Sequence, residues 1–220
     1  IFKASGMFNF AQGAMVLFSA LTLVGLMEHG LPLWAALIFT VATMVALAFL
    51  VERFMLRHLV NQEGLILFMA TIGLNFILEG TGQLVWGSDV KRLEIGIPDQ
   101  PFDILGGKIL LNTFDVTAAV IGALLVITLA VFFQKTPMGR ALRAVADDHQ
   151  AALSVGIPLK TIWIAVWTIA GIVALVAGIV WGAKSGVQFS LSLIALKALP
   201  VLILGGFTSV PGAIVGGLII

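Results

Sequence analysis

Four polar side chains recur at intervals of four residues within an otherwise apolar run of this sequence. They are Thr71, Asn75, Glu79 and Gln83, in the run from Leu65 to Trp86. Residues four apart lie one above the other on an α-helix, so the four would form a slowly drifting stripe on one face. Such a stripe is costly in lipid, which predicts that it faces protein or water. It could line a pathway for a polar solute or hydrogen-bond to a neighbouring helix.

Two more amides interrupt an apolar run near the start of the chain. Asn9 and Gln12 lie in the segment GMFNFAQGA, between Gly6 and Gly13. Irregular backbone at membrane depth requires partners from protein or from a water-filled cavity. The segment therefore fits either a pathway element or an ordinary helix end at the membrane interface. Lys197, in the last apolar region, could pair with Glu79 or extend its ammonium to an interface.

No set of residues with catalytic or metal-binding spacing is present. His29, His58 and His149 fall in three different predicted loops, and the sequence has no cysteine. It contains no HExxH, GxSxG or phosphate-loop motif, so it does not bind ATP by that route. The predicted spans hold no His or Asp, which argues against an intramembrane enzyme. We therefore predict no catalytic residue, metal or cofactor on this chain.

The composition indicates a membrane protein. Hydrophobic residues make up 60% of the chain, charged residues 10%, and the mean hydropathy is +1.13. Apolar runs of about 20 residues match the thickness of a bilayer core. The net charge of +1 gives no indication of nucleic-acid binding. We predict an all-α polytopic membrane protein with about six to seven spanning or re-entrant helices.

The predicted elements follow the apolar runs. Five spans are expected, at Ala14–Met27, Pro32–Val51, Leu65–Trp86, Val116–Phe133 and Thr161–Gly182. The loop Gly87–Asp115 is polar, and a strand pair is expected within it between Leu93–Ile95 and Lys108–Leu111. Glycines and prolines break Leu193–Ile220, which predicts a re-entrant helix followed by a glycine-rich helix.

The polar segment Thr136–Lys160 is predicted to be a short helical hairpin between two spans. Met138, Leu142 and Val145 share one helix face, and this apolar face is expected to contact something that need not be on this chain. A second helix, Asp148–Val155, would end at Gly156. Lysine and arginine number four in Gln134–Lys160 and two in Glu52–Gly64. Both loops are therefore expected in the cytoplasm, with Gly87–Asp115 outside.

The hairpin sequence carries a family resemblance. GRALRAVADDHQAALSVGIPLKTI, from Gly139 to Ile162, resembles the cytoplasmic loop of the permease subunits of branched-chain amino acid ABC importers, the smaller of the two paired permeases. Three more segments resemble the family in the same order: Gly6–Ala14, Leu67–Gly80 and Leu196–Ile219. The resemblance covers nearly the whole chain. It implies a single permease domain over residues 1–220, with about one helix missing before and about two after.

The resemblance also implies how the hairpin acts. In importers of this wider class, a loop of the pattern E-A-A-x-x-x-G docks on an ATPase. Here that pattern falls on Gln150, Ala151, Ala152 and Gly156, with glutamine replacing the glutamate. Gly139, Arg140 and Arg143 complete the expected coupling set. The stripe and the amide segment give the expected translocation path: Asn9, Gln12, Thr71, Asn75 and Glu79.

Partners and location follow from the same resemblance. It implies a second permease, two ABC ATPases that hydrolyse ATP, an extracytoplasmic substrate-binding protein and alternating access in a bacterial or archaeal cytoplasmic membrane. Gln12 stands where the family usually has histidine, and Lys3 where it usually has a small apolar residue. The substrate could therefore be branched-chain amino acids, other amino acids, amides or urea.

A second hypothesis needs no ATPase. A gradient-driven secondary transporter or channel for urea or amides could use Glu79 and Lys197 as an ion relay. It predicts uptake driven by a proton or sodium gradient in the absence of ATP.

Overall fold

The structure is a computed structural model, and it describes residues 8–59, 62–96, 100–104, 109–147, 152, 154, 156–207 and 209–220. Its α-helices are α1 (Gln12–Glu28), α2 (Leu33–Phe54), α3 (Gly64–Trp86), α4 (Thr113–Lys135), α5 (Pro137–Asp147), α6 (Leu159–Ser185), α7 (Ile194–Gly205) and α8 (Val210–Ile219). Two 3-10 helices occupy Leu56–His58 and Phe189–Leu193, and two strands, β1 (Pro101–Ile104) and β2 (Ile109–Asn112), form an antiparallel pair.

Helix α1 lies at the centre of the bundle. It packs against α2, α3, α6 and α7 and against the second 3-10 helix. Twelve of its 17 residues are buried. Burial to this extent means that neighbouring elements surround most of the helix. The neighbouring helices therefore shield α1 from lipid.

Small residues allow these helices to approach α1 closely. A β-carbon on Gly178 of α6 would lie 2.8 Å from the carbonyl oxygen of Val16. A β-carbon on Gly25 of α1 would lie 2.1 Å from the ring of Trp86. Glycine at such contacts lets helices pack backbone to backbone in a membrane. Helices α1 and α3 run in the same direction, because Phe10 before the start of α1 contacts Thr71 in the first half of α3, and Gly25 near the C-terminal end of α1 contacts Trp86 at the C-terminal end of α3.

Four helices are long and apolar enough to cross a membrane. They are α2 (with the adjoining 3-10 turn), α3, α4 and α6, of which α4 is the least buried by its neighbours. The shorter apolar helices α1, α7 and α8 bring the total among the described residues to seven. This agrees with the predicted all-α polytopic fold. The chain is a multi-pass membrane protein.

Two details of the predicted elements are wrong. Helix α2 continues to Phe54 and is followed by a 3-10 turn, so Glu52 is helical and 5% exposed and does not begin a loop. Strand β2 pairs with Pro101–Ile104 and not with Leu93–Ile95. Leu93 instead packs in the core, and its neighbour Lys91 forms a β-bridge with Val187. Burial of Leu93 in the bundle removes it from the strand pair.

The last apolar region is broken into two short helices, in agreement with the predicted interruption and the glycine-rich second helix. Helices α7 and α8 pack on each other, and the chain turns between them at Gly206, whose φ is +87°. A β-carbon on Gly205 would lie 2.2 Å from the carbonyl oxygen of Gly212. Glycine at both positions is therefore necessary for this approach.

Candidate translocation pathway and coupling hairpin

The amide segment at the start of α1 is held by side-chain hydrogen bonds. We call residues 9–12 the polar break. Asn9 is 7% exposed, donates through Nδ2 to Oε1 of Gln12 at 3.2 Å, and accepts from the amide of Ala11 at 3.1 Å. Gln12 in turn donates through Nε2 to the carbonyl oxygen of Ala170 in α6 at 3.1 Å. The two side chains thus satisfy each other and tie the break to α6.

Thr71 joins the polar break to the stripe on α3. It is fully buried, and its hydroxyl accepts from the amide of Phe10 at 3.3 Å and donates to the carbonyl of Phe68 at 2.8 Å. Thr71 is the eighth residue of the 23-residue helix α3. The start of α1 therefore lies inside the bundle, beside the middle parts of α3 and α6 and not beside their ends. Of the two interpretations of the segment, this position favours irregular backbone at membrane depth.

The rest of the stripe leaves the packed face of α3. Thr71 is buried, Asn75 and Glu79 are half-buried, and Gln83 is exposed. The face in contact with α1 carries Leu74, Leu78 and Gly82. A step of four residues turns a helix by about 40° beyond a full circle, which moves each successive member outward. The predicted drift thus carries the stripe from the bundle interior to its edge.

The outer members of the stripe have no partner on the part of the chain that the structure describes. Asn75 and Glu79 make no side-chain hydrogen bond to the described residues. The two ion pairs seen there are Lys91 with Glu28 and Lys184 with Asp115. Lys197 is exposed, and the structure shows no ion pair between it and Glu79.

Aromatic rings surround the polar break, and the sequence alone did not predict this. The ring centroids of Phe8 and Phe10 are 4.7 Å apart, and those of Phe10 and Phe68 are 4.6 Å apart. Phe8 also lies 6.0 Å from Phe207, at the turn between α7 and α8. All three contacts are edge-to-face, a favoured arrangement of aromatic pairs. The alternation of Phe8 and Phe10 around Asn9 was the one signal in the sequence.

The hairpin is packed onto the spans of its own chain. Leu142 and Val145 of α5 are 1% and 0% exposed, in the same apolar cluster as Ile162 of α6. The predicted apolar face exists, but this chain itself covers these two residues. Because the chain covers both residues, no partner outside the chain is required to explain why they are apolar. Leu153, another apolar residue of the segment, lies outside the described residues.

Two of the predicted coupling residues hold α5 to the end of α4. The hydroxyl of Thr136 caps α5 by accepting from the amide of Gly139 at 3.0 Å. A β-carbon on Gly139 would lie 2.4 Å from the carbonyl oxygen of Phe133, and the guanidinium of Arg143 donates to the same oxygen. Arg140 is exposed, and its guanidinium donates to the carbonyl oxygen of Lys135 only at 3.5 Å, a weak contact. Gly139 and Arg143 thus fix the joint, and Arg140 faces outward.

The end of the hairpin is a glycine-terminated turn. Gly156 has a φ of +83° and open space around its α-carbon, and the amide of Ile157 donates to the carbonyl oxygen of Ala152 at 3.0 Å. This is the bond of a Schellman motif, as the predicted stop at Gly156 requires. Ala152 is 3% exposed and packs in the apolar cluster, whereas Gly156 is exposed. Gln150 and Ala151 lie outside the described residues.

Comparison with known proteins identifies the family. The family described as the permease component of the branched-chain amino acid transport system matches residues 1–220. The chain belongs to this family. It is 26% identical to the high-affinity branched-chain amino acid transport system permease protein LivH of Salmonella typhimurium, over all of this chain and 76% of the relative. No solved structure matches it.

Similar proteins occur in other organisms. The corresponding permease protein BraD of Pseudomonas aeruginosa is 28% identical over all of this chain and 76% of its own length. A probable LivH of Methanocaldococcus jannaschii is 30% identical over 96% of this chain and 69% of the relative. The chain is therefore a permease subunit of an ABC importer. Family membership favours this conclusion over the gradient-driven alternative.

Proposed function

We propose that this chain is the permease subunit of an ATP-driven importer for branched-chain or related amino acids in a bacterial or archaeal cytoplasmic membrane. The relatives' names supply the substrate class. The observation that carries the proposal is the hairpin, which presents a small exposed surface on a support made from the ends of two spans. In this proposal the chain is no enzyme itself, and ATP hydrolysis takes place on two separate ATPase subunits.

The orientation rests on the distribution of basic residues. The end of the bundle that carries the hairpin holds Arg53, Arg57, Lys135, Arg140, Arg143 and Lys160. Short loops rich in lysine and arginine remain in the cytoplasm. The opposite end, with the ion pairs Lys91–Glu28 and Lys184–Asp115, would face the substrate-binding protein. A second permease would complete the pathway.

The exposed side of the hairpin is the proposed ATPase contact. Arg140, Ala144 and Gly156 are exposed, while Leu142 and Val145 beneath them are buried. A movement of an ATPase against the exposed side would be transmitted through the packed side to α4 and α6. Gly139, Arg143 and Ala152 serve this role as the joint. Gln150 and Ala151 retain the docking role that the family pattern gives them.

The proposed path runs along the edge of α3. Asn75 and Glu79 are polar, half-buried and without partners among the described residues, so the substrate, water or the second permease would satisfy them. A charged side chain at membrane depth that faced lipid would cost several kcal/mol. Asn9, Gln12 and Thr71 are already satisfied within the chain. Their proposed role is to shape the wall of the path.

The coupling proposal is tested by Ala144→Glu in the complete reconstituted complex. A carboxylate on this exposed site leaves the packed face of α5 untouched but introduces charge and bulk into the proposed contact. We expect ATP-driven uptake into proteoliposomes and substrate-stimulated ATPase activity to fall by about ten-fold or more, corresponding to at least about 1.4 kcal/mol of lost interaction.

Gln62→Glu is the matched control. Gln62 is also exposed at the hairpin end, outside the hairpin, and the same charge is introduced there. The rate of uptake by this variant should match that of the unmodified complex. If Ala144→Glu retains full uptake and full ATPase stimulation, the exposed side of the hairpin is not the docking surface.

A further inference from the structure

Glu52 is a buried carboxylate whose role the transport function leaves unexplained. It lies in the last turns of α2 and is 5% exposed. Within the described part of the chain it forms no ion pair and no side-chain hydrogen bond. The carboxylate borders a cavity, so a cationic group from outside the chain can reach it and form a charge-assisted hydrogen bond there.

Glu52 lines a cavity that contains further charged groups. The cavity lies between the end of α2 and the start of α6, and its lining consists of Glu52, Leu56, Arg57, Leu159, Lys160 and Trp163. Arg57 and Lys160 are exposed, whereas Leu56 is buried and Trp163 half-buried. The site therefore combines one sheltered negative charge, two accessible positive charges and apolar walls.

This arrangement fits a zwitterion. The carboxylate of Glu52 would accept hydrogen bonds from an ammonium group, and Arg57 and Lys160 would bind an adjacent anionic group. The leucines and Trp163 would contact apolar parts of the same molecule. Two sources share this chemistry: a phospholipid head group that carries an ammonium beside a phosphate, and a free amino acid.

The position of the cavity favours the lipid. It lies at the end of two membrane-spanning helices, where the apolar spans give way to basic residues. Tryptophan is enriched at this level of a membrane, and basic pockets between spans on the cytoplasmic side bind lipid head groups. We propose that this cavity binds the head group of an ethanolamine phospholipid, with its ammonium on Glu52 and its phosphate at Arg57 and Lys160.

The proposal rests on the membrane-spanning helices and not on the proposed transport function. A bound lipid would connect the end of α2 with the first turn of α6, which follows directly on the hairpin turn at Gly156. It would thereby stabilise the support on which the hairpin is mounted. Binding can be measured without transport, so the two proposals can fail separately.

Native mass spectrometry of the detergent-purified transporter complex tests the site. Phosphatidylethanolamine, phosphatidylcholine and phosphatidylglycerol with identical acyl chains are added in turn. Phosphatidylcholine has no N–H to donate, and phosphatidylglycerol has no ammonium. We expect the ethanolamine lipid to bind about ten-fold more tightly than either, the difference expected from one charged hydrogen-bonded contact.

Three variants locate the binding. Glu52→Gln should remove the preference for the ethanolamine lipid over the choline lipid. Lys160→Gln should weaken binding of ethanolamine and glycerol lipids alike, because both carry the phosphate. Glu63→Gln is the control, since this carboxylate is exposed at the same end of the bundle but does not line the cavity. It should leave the preference unchanged.

Three results would overturn the proposal. The first is equal binding of the three lipids to the unmodified complex, which requires no variant and so does not depend on whether Glu52→Gln folds. The second is an ethanolamine preference that survives in a folded Glu52→Gln complex. The third is displacement of the lipid by free leucine at millimolar concentration, which would make the cavity an amino-acid site.

Discussion

The polar break and the outer part of the stripe on α3 are both polar regions in an apolar bundle, but they differ in how their side chains are satisfied. Asn9 and Gln12 bond to each other, to the backbone at Ala11 and to the carbonyl of Ala170. Asn75 and Glu79 have no such partner among the described residues. The chain itself thus satisfies the polar atoms of one region and not, among the described residues, those of the other.

The two groups of side chains differ in whether their polar atoms hydrogen-bond within the chain or are free to bond to other molecules. Side chains with internal partners fix irregular backbone, and their loss should lower stability. Side chains without internal partners add nothing to the stability of the isolated chain and are open to substrate, water or a second permease. Stability and transport measurements on matched variants should therefore respond in opposite ways in the two regions.

The largest effect is expected from Asn9→Leu. The substitution removes the acceptor of the buried Ala11 amide and the donor to the half-buried Gln12 oxygen, and it leaves both groups without these partners. We expect a loss of about 2–3 kcal/mol in the free energy of unfolding, the usual cost of leaving buried polar groups unsatisfied. Thermal unfolding of the purified permease in detergent measures it. Unchanged thermal stability would show that the break is not held by these bonds.

Asn75→Leu should lower uptake and leave stability nearly unchanged. The side chain is half-buried and makes no hydrogen bond to the described residues, so stability should change by no more than about 0.5 kcal/mol. Uptake by the reconstituted complex should fall by about five- to ten-fold if this amide contacts the substrate or the water that hydrates it. Gln83→Leu, at the exposed end of the same stripe, is the control. If Asn75→Leu lowers stability and leaves uptake kinetics unchanged, Asn75 binds a neighbouring helix.

Much of this contrast could be predicted from the sequence, but not which side chains would find partners. Spacing alone placed Thr71, Asn75 and Glu79 on one drifting face, and glycine bracketing marked the break. Whether Thr71 meets Phe10 depends on the approach of α1 to α3, which is a tertiary property. The same holds for Glu52, because charge density suggested a loop where packing continues the helix. Spacing predicts one apolar face for Leu142 and Val145, and only packing shows that the chain itself covers them.

Thr71→Val tests the boundary between the two regions and should give the smallest effect. Valine has nearly the same shape, so the substitution removes the hydroxyl that accepts from the Phe10 amide and little else. The carbonyl of Phe68 loses one donor but lies within a helix that supplies another. We therefore expect a loss of about 1 kcal/mol in unfolding free energy and nearly normal uptake, because one buried N–H loses its acceptor. Thr71→Ser, which keeps the hydroxyl, should retain the hydrogen bond and lose only the contacts of one methyl group. Reduced uptake in Thr71→Val without a loss of stability would place Thr71 with Asn75 and Glu79, and the path would then extend to the depth of the polar break.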